Sequence, residues 1–186
     1  MREVKFTVEV VLSHAECIQW IELGESIGFE AAPIKTAFGF EMVPGVRNNT
    51  RVMFDDPPRA EGLWLRLFEA VAEWGAIVSR GATYHPVGLN ERLRIYRYGP
   101  GQYFDWHQDG AFVRDTEERS FLTAMLYLNG DVEGGTTDIQ SGGDVFSIAP
   151  ASGRALLFEH PLEHRGAPVT RGTKYVLRTD VMYRLA

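Results

Sequence analysis

At 186 residues, 45% hydrophobic and 24% charged, the chain has ordinary globular composition and enough apolar material for a core, which argues against disorder. Its formal net charge of −6 disfavours general attachment to nucleic-acid backbones, which need clustered Lys and Arg. The single cysteine, Cys17, excludes an internal disulfide and a cysteine-based zinc cluster, and it fits a reducing compartment.

The first twelve residues alternate polar and apolar types, and no run reaches the ~18 apolar residues of a membrane helix. The expectation is a soluble, cytoplasmic protein with no signal peptide and no membrane association. Residues 4–12 read as a strand feeding a helix. Ser13-His-Ala-Glu16 is a capping box, Cys17, Ile18, Trp20, Ile21 and Leu23 supply an apolar face, and Gly28 is the C-cap. In the mixed stretch 29–54, Met42-Val-Pro-Gly45 is a turn and residues 49–54 form a strand. Arg47, Asn48, Asn49 and Arg51 make a polar cluster, either facing a ligand or lying on a solvated loop and strand edge.

Asp56 caps a second helix with Pro57 and Pro58 in its first turn. Leu63, Trp64, Leu67, Phe68, Val71 and Trp74 then form an amphipathic stripe that Gly75 ends. Such stripes pack on a core, so both helices belong on the outside of a sheet. From residue 92 the texture changes to short runs separated by glycines. Strands are expected at 92–98, 102–108, 121–128, 135–140, 144–148, 154–158, 163–169 and 173–183, a spacing that suggests an antiparallel sandwich or barrel. No repeat or linker divides the chain, so residues 1–186 are expected to form one domain.

Strand faces locate the chemistry. Lys174, Val176, Arg178 and Asp180 share one face of the last strand, while Tyr175, Leu177, Thr179, Val181 and Tyr183 share the other. The first set faces either solvent or a lumen that holds a ligand. Across residues 121–128, Thr123, Met125 and Tyr127 oppose an apolar face, and hydroxyls beside a cation suit a carboxylate. His107 and Asp109 lie two apart on one strand face just after the turn at Gly99-Pro-Gly101, although Asp105 is as close to His107 on the other side. A third ligand, His164 or His160, would complete two histidines and a carboxylate, the facial arrangement of non-haem Fe(II) oxygenases. His14 and His85 read as structural or surface residues.

These residues resemble the Fe(II)/2-oxoglutarate-dependent oxygenases, specifically the prolyl 4-hydroxylase-like branch. The resemblance covers roughly residues 90–184 and rests on Tyr98, Gly101-Gln-Tyr103, His107-x-Asp109, Thr123, Tyr127-Leu-Asn129, Glu133-Gly-Gly-Thr136-Thr137, Pro150, Gly153, Leu157-Phe158, His164, Pro168-Val169, Gly172 and Lys174-Tyr175 in that order. The ten-residue step from His164 to Lys174 favours His164 over His160, and the motif order favours Asp109 over Asp105.

The resemblance implies a double-stranded β-helix, or jelly roll, as a catalytic core over 91–186, with 1–90 as helical support and substrate entrance. It implies iron on His107, Asp109 and His164, and 2-oxoglutarate held by Lys174 with Tyr127, Tyr98 and Thr123 around it; Arg178 would share that anchor or meet the substrate. Asp180 stands where the family commonly has tryptophan, and Gly-Gly-Thr-Thr replaces a Gly-Gly-Glu-Thr-like segment. The activity implied is hydroxylation of an unactivated C–H of a peptidyl proline or another amino-acid side chain. It would use O2, 2-oxoglutarate and Fe(II), with ascorbate as a further cofactor, and release succinate and CO2. Rival readings are the same chemistry on a free amino acid, small molecule or nucleic-acid base, a non-catalytic sensor, and a zinc hydrolase. The last has no need of Lys174. Arg47, Asn49, Arg51 and Arg94 stand as candidate substrate contacts.

Overall fold

Local sequence sets both helices. The structure, a computed structural model, describes residues 7–36 and 39–186, so the start of the strand expected at 4–12 lies outside the described residues. A short strand β1 (Thr7–Val8) precedes α1 (His14–Ile27). The capping box forms: the Glu16 amide donates to Ser13 Oγ at 3.3 Å and the Ser13 amide to Glu16 Oε2 at 2.8 Å. Gly28 ends the helix at φ 96°. Cys17, Trp20 and Gly24 form the buried face, and Ile18, expected there, falls one position round the helix and is 41% exposed. Gly24 sets the depth of docking, since a Cβ there would stand 3.0 Å from the Phe29 ring and 3.3 Å from Ile95.

Four strands then lead to the second helix: β2 (Glu30–Ala31), β3 (Ile34–Thr36), β4 (Gly39–Glu41) and β5 (Thr50–Asp55). The Arg59 amide donates to the Asp56 cap at the start of α2 (Pro57–Ala72). Its stripe buries Ala60, Leu63, Trp64, Leu67 and Val71, whereas Phe68 is left exposed.

The rest of the chain is β: β6 (Ile77–Ser79), β7 (Ala82–Leu89), β8 (Arg92–Tyr98), β9 (Phe104–His107), β10 (Glu118–Tyr127), β11 (Glu133–Gly134), β12 (Thr137–Ser141), β13 (Asp144–Ile148), β14 (Ala155–Glu159), β15 (His164–Gly166), β16 (Val169–Arg171) and β17 (Lys174–Leu185). The large sheet runs β1-β14-β10-β17-β8-β5-β2, and β7 also pairs with the second half of β17 while carrying β6. A four-stranded sheet runs β13-β12-β15-β9. Every pairing among the described residues is antiparallel, giving the mainly β, jelly-roll architecture with flanking helices that the sequence led us to expect.

The large sheet divides the molecule into two cores. Leu93, Ile95, Leu122, Ala124, Leu126, Leu157, Leu177 and Val181 meet the helices. On the other face Tyr96, Tyr98, Tyr127, Leu156, Phe158 and Val176 meet Ile139 of the small sheet. The register aligns one row from Arg51 through Tyr96 and Val176 to Tyr127, and the next from Met53 through Arg94 and Arg178 to Met125. The face bearing Lys174 and Arg178 is therefore the lumen.

Two strand expectations change. Residues 82–89, given no element from the sequence, form β7; Pro86 hides it by breaking the strand pattern, and it sits opposite Tyr183 where the register shifts. The strand expected at 163–169 is two strands in different sheets, parted at Ala167 and Pro168, because proline offers no amide to continue a ladder.

Leu126 is fully buried between sheet and helices. Leu126→Ala should lower unfolding stability by about 2–5 kcal/mol, read as a lower urea midpoint at unchanged m-value.

Candidate active site

The small sheet carries the centre of the site. The register of β9 and β15 sets His107 directly opposite His164, with ring centroids 4.2 Å apart. Asp109 follows β9, its amide donating to the His160 carbonyl at 3.0 Å. Its two carboxylate oxygens lie 3.9 Å from His107 Nε2 and 3.5 Å from His164 Nε2. These three residues form a group whose donor atoms all fall within 4.8 Å of one another.

The donor set fits a divalent metal. Each histidine turns Nδ1 to a backbone carbonyl two residues back: His107 to Asp105 O at 2.7 Å, His164 to Leu162 O at 3.0 Å. Those bonds place the ring proton on Nδ1 and leave the Nε2 lone pair toward the centre, as metal ligation requires. Burial and the neighbouring His164 bring His107 down to about 4, and burial also lowers His164, so both rings are neutral. Burial alone would raise Asp109. The Arg178 charge and the Thr123 hydroxyl outweigh it and hold the carboxyl well below the usual range. Asp105, the rival carboxylate, is exposed and receives the Trp106 amide.

Behind Asp109 runs a relay of hydrogen bonds. Thr123 Oγ1 donates to Asp109 Oδ2 at 2.6 Å. His160 Nδ1 is 3.0 Å from that hydroxyl, His160 Nε2 is 2.8 Å from Ser120 Oγ, and Ser120 Oγ accepts the Phe112 amide at 2.8 Å. Only one assignment satisfies every partner: Phe112 N–H to Ser120, Ser120 O–H to His160 Nε2, His160 Nδ1–H to Thr123, Thr123 O–H to Asp109. His160 therefore has both ring nitrogens engaged away from the centre, and the chain orients the Asp109 carboxylate. Thr123, expected beside the co-substrate, sits behind Asp109.

The cavity in front is walled by Tyr96, Tyr98, Phe104, His107, Asp109, Met125, Thr137, His164, Gly166, Lys174 and Arg178. Lys174, 1% exposed, donates to the Gly135 carbonyl at 2.6 Å and lies 4.9 and 5.8 Å from the Tyr98 and Tyr127 ring centroids. Burial lowers its ammonium to about 7, with Asp138 opposing. Gly135 allows this approach. It has φ 66°, and a Cβ there would stand 3.2 Å from Lys174 Cδ. Tyr127 donates its hydroxyl to Thr137 Oγ1 at 2.7 Å. Burial raises both Tyr98 and Tyr127, which stay protonated.

Arg178 stands apart from Lys174. Its Nη2 lies 3.1 Å from Asp109 Oδ1 and 3.2 Å from Asp180 Oδ1. Arg94 also meets Asp180, at 3.5 Å. Arg47, from the loop before β5, is buried over the Tyr96 and Phe104 rings. Sequence reasoning named Arg47 as a candidate substrate contact, and it missed Phe104, which stacks on His107 at 3.5 Å. The sequence offered His160 only as a rival metal ligand and gave no signal for Ser120, because their shared role depends on the β10–β14 pairing.

Comparison with known proteins agrees with this geometry. Residues 93–179 match the family model of the 2OG-Fe(II) oxygenase superfamily. A PKHD-type hydroxylase from Synechococcus sp. is 31% identical over 87 residues, which are 45% of this chain and 38% of that protein. Sequence relatives are matched over 38–56% of their own length. The viral collagen prolyl hydroxylase of Paramecium Bursaria Chlorella virus-1 shares the fold at TM-score 0.63 and 21% identity, covering 96% of this chain and 94% of that one. A Trichoplax adhaerens prolyl hydroxylase, solved with a hypoxia inducible factor peptide fragment, gives 0.66 at 19% identity over 94% and 81%.

Thr123→Val keeps the shape and breaks the relay at the ligand, and it should weaken divalent-metal affinity about 10- to 100-fold. Competitive titration with a metal-sensitive dye, alongside an unchanged circular-dichroism spectrum, checks this.

Proposed function

This chain belongs to the 2OG-Fe(II) oxygenase superfamily, in its prolyl 4-hydroxylase-like branch, and we propose that it hydroxylates an unactivated C–H of a peptidyl proline or another amino-acid side chain. The reaction would consume O2 and 2-oxoglutarate, the latter leaving as succinate and CO2. One observation carries the reading: the His107–Asp109–His164 group and a buried, under-partnered lysine share one cavity. We read residues 1–186 as one catalytic domain, suited by its lone buried Cys17 to a reducing cytoplasm.

His107 Nε2, His164 Nε2 and an Asp109 oxygen would hold Fe(II). When bound, the iron supplies the activation of O2 that C–H hydroxylation needs. Thr123 and Arg178 keep the carboxylate ionised and aimed, so the ligand is set before any metal arrives. Lys174 would receive the far carboxylate of 2-oxoglutarate. An ammonium has three donors, and among the described residues Gly135 accepts one, so two point to a ligand. The Tyr98 and Tyr127 rings exclude water around that ammonium, which strengthens the ion pair. Arg178, occupied by Asp109 and Asp180, is assigned to the metal ligand and not to the co-substrate. The peptidyl substrate is supported by the shared fold with prolyl hydroxylases, one of them solved with a peptide.

The test is anaerobic titration with Fe(II) and 2-oxoglutarate, then O2-dependent succinate release with proline peptides and ascorbate as reductant. His107→Ala should abolish substrate-dependent succinate; full retention would remove the iron assignment. Lys174→Met should weaken 2-oxoglutarate binding by at least about 100-fold, because a buried carboxylate would be left unpaired. If Arg178→Ala did so while Lys174→Met did not, the anchor would be Arg178.

The pH dependence has a definite sign. Lys174 titrates at about 7 in the free protein, and a bound carboxylate favours its charged form, so binding takes up a proton above pH 7. Calorimetric affinity for 2-oxoglutarate should be flat just below pH 7 and fall about tenfold per unit above it until the pKa of the complex is reached.

A further inference from the structure

Four arginines converge on the phenol of Tyr96, on the part of the lumen away from Lys174. The β5–β8–β17 register places Arg51 opposite Tyr96, and Arg94 opposite Arg178, whereas Lys174 lies opposite Tyr98. Arg47 packs over the Tyr96 ring at 4.8 Å. Burial raises Tyr96, yet Arg178, Arg47 and Arg94 outweigh it and bring the phenol down to about 8. Burial and the charges of Arg47, Arg94 and Arg178 likewise lower Arg51. This is a concentrated positive field in a chain of net charge −6.

Its counter-charges are unequally shared. Asp180 pairs with Arg94 and Arg178, and Asp109 pairs with Arg178. Arg47 and Arg51 have no carboxylate partner among the described residues. Arg47 is 4% exposed, its Nε donates to the neutral Asn49 Oδ1 at 2.7 Å, and its Nη2 is buried without a hydrogen-bond partner. A buried guanidinium with no counter-ion and one nitrogen left without an acceptor is costly. Its position names the missing partner. Arg47 lies over Phe104 at 4.3 Å, and Phe104 stacks on His107, so one aromatic ring separates the orphaned donor from the candidate metal ligand.

On the functional reading above, 2-oxoglutarate is assigned to Lys174 and the metal, which leaves the arginine side of the lumen for the substrate. We propose that Arg47, with Arg51 beside it, binds a carboxylate of the substrate, so that the carbon hydroxylated lies close to an anionic group. A planar guanidinium pairs a carboxylate through two parallel hydrogen bonds. The carboxylate comes from an acidic residue next to the reacting one, from the C-terminus of a peptide, or from a free amino acid.

Binding to the anaerobic Fe(II)–2-oxoglutarate protein separates these sources, with labelled peptides followed by fluorescence anisotropy and free amino acids as competitors. Three acid–amide pairs suffice: proline flanked by Glu or by Gln, C-terminal proline as acid or amide, and free proline against prolinamide. In at least one pair the acid should bind about tenfold or more tightly than its amide. Arg47→Met should erase that preference and Arg51→Met reduce it, while 2-oxoglutarate affinity stays within about twofold in both. If Arg47→Met does not fold, the half-buried Arg51→Met and the wild-type acid–amide gap, which should narrow with added NaCl, decide the matter. No acid preference in any pair, or a preference surviving Arg47→Met, overturns the proposal. Failure of the enzymatic reading is a different result: wild-type protein that neither binds 2-oxoglutarate with metal nor releases succinate with any substrate.

Discussion

The antiparallel register between β9 and β15 sets His164 against His107, and the rest of the site is arranged around that pairing. A slip of one residue would turn either imidazole to the opposite face of the small sheet. The register is held by the neighbouring β12–β15 ladder, which places Ile139 beside His164 in the core. With the two rings fixed, Asp109 needs only one short turn to reach both Nε2 atoms. The carbonyls of Asp105 and Leu162 then choose the tautomer that frees those atoms.

The second constraint is electrostatic. The lumen of an acidic protein collects Lys174, Arg178, Arg94, Arg51 and Arg47 around two buried carboxylates. Charges of one sign in a poorly solvated space destabilise the fold unless ligands or counter-ions offset them. Lys174 shows that cost directly, as burial drives its ammonium down to about 7. Replacing it by an apolar residue would relieve the fold and remove the proposed co-substrate anchor, a common opposition of stability and activity. Asp180 gives Arg94 and Arg178 a shared counter-ion.

The helices contribute from a distance. α1 and α2 bury their apolar faces on the outer surface of the large sheet and leave its inner surface for chemistry. Alternation along β17 keeps the two apart: Tyr175, Leu177 and Val181 face the outer core while Lys174 and Arg178 face the lumen.

The sequence by itself determined the local features and the donor types. Ser13 and Glu16 spell the helix cap, the alternation in 174–183 separates a charged face from an apolar one, and His107, Asp109, His164 and Lys174 were legible through their order and spacing. It could not show β7, whose Pro86 masks a strand held by its partner β17, nor the break at Pro168 that sends β15 and β16 to different sheets. The relay from Ser120 through His160 and Thr123 to Asp109, and the placement of Arg47 over Phe104, were decided only by the tertiary structure. The physical reason is common to both: a hydrogen bond or ring contact between residues forty or fifty-seven apart depends on strand pairing, and periodicity in one segment carries no information about its partner's register.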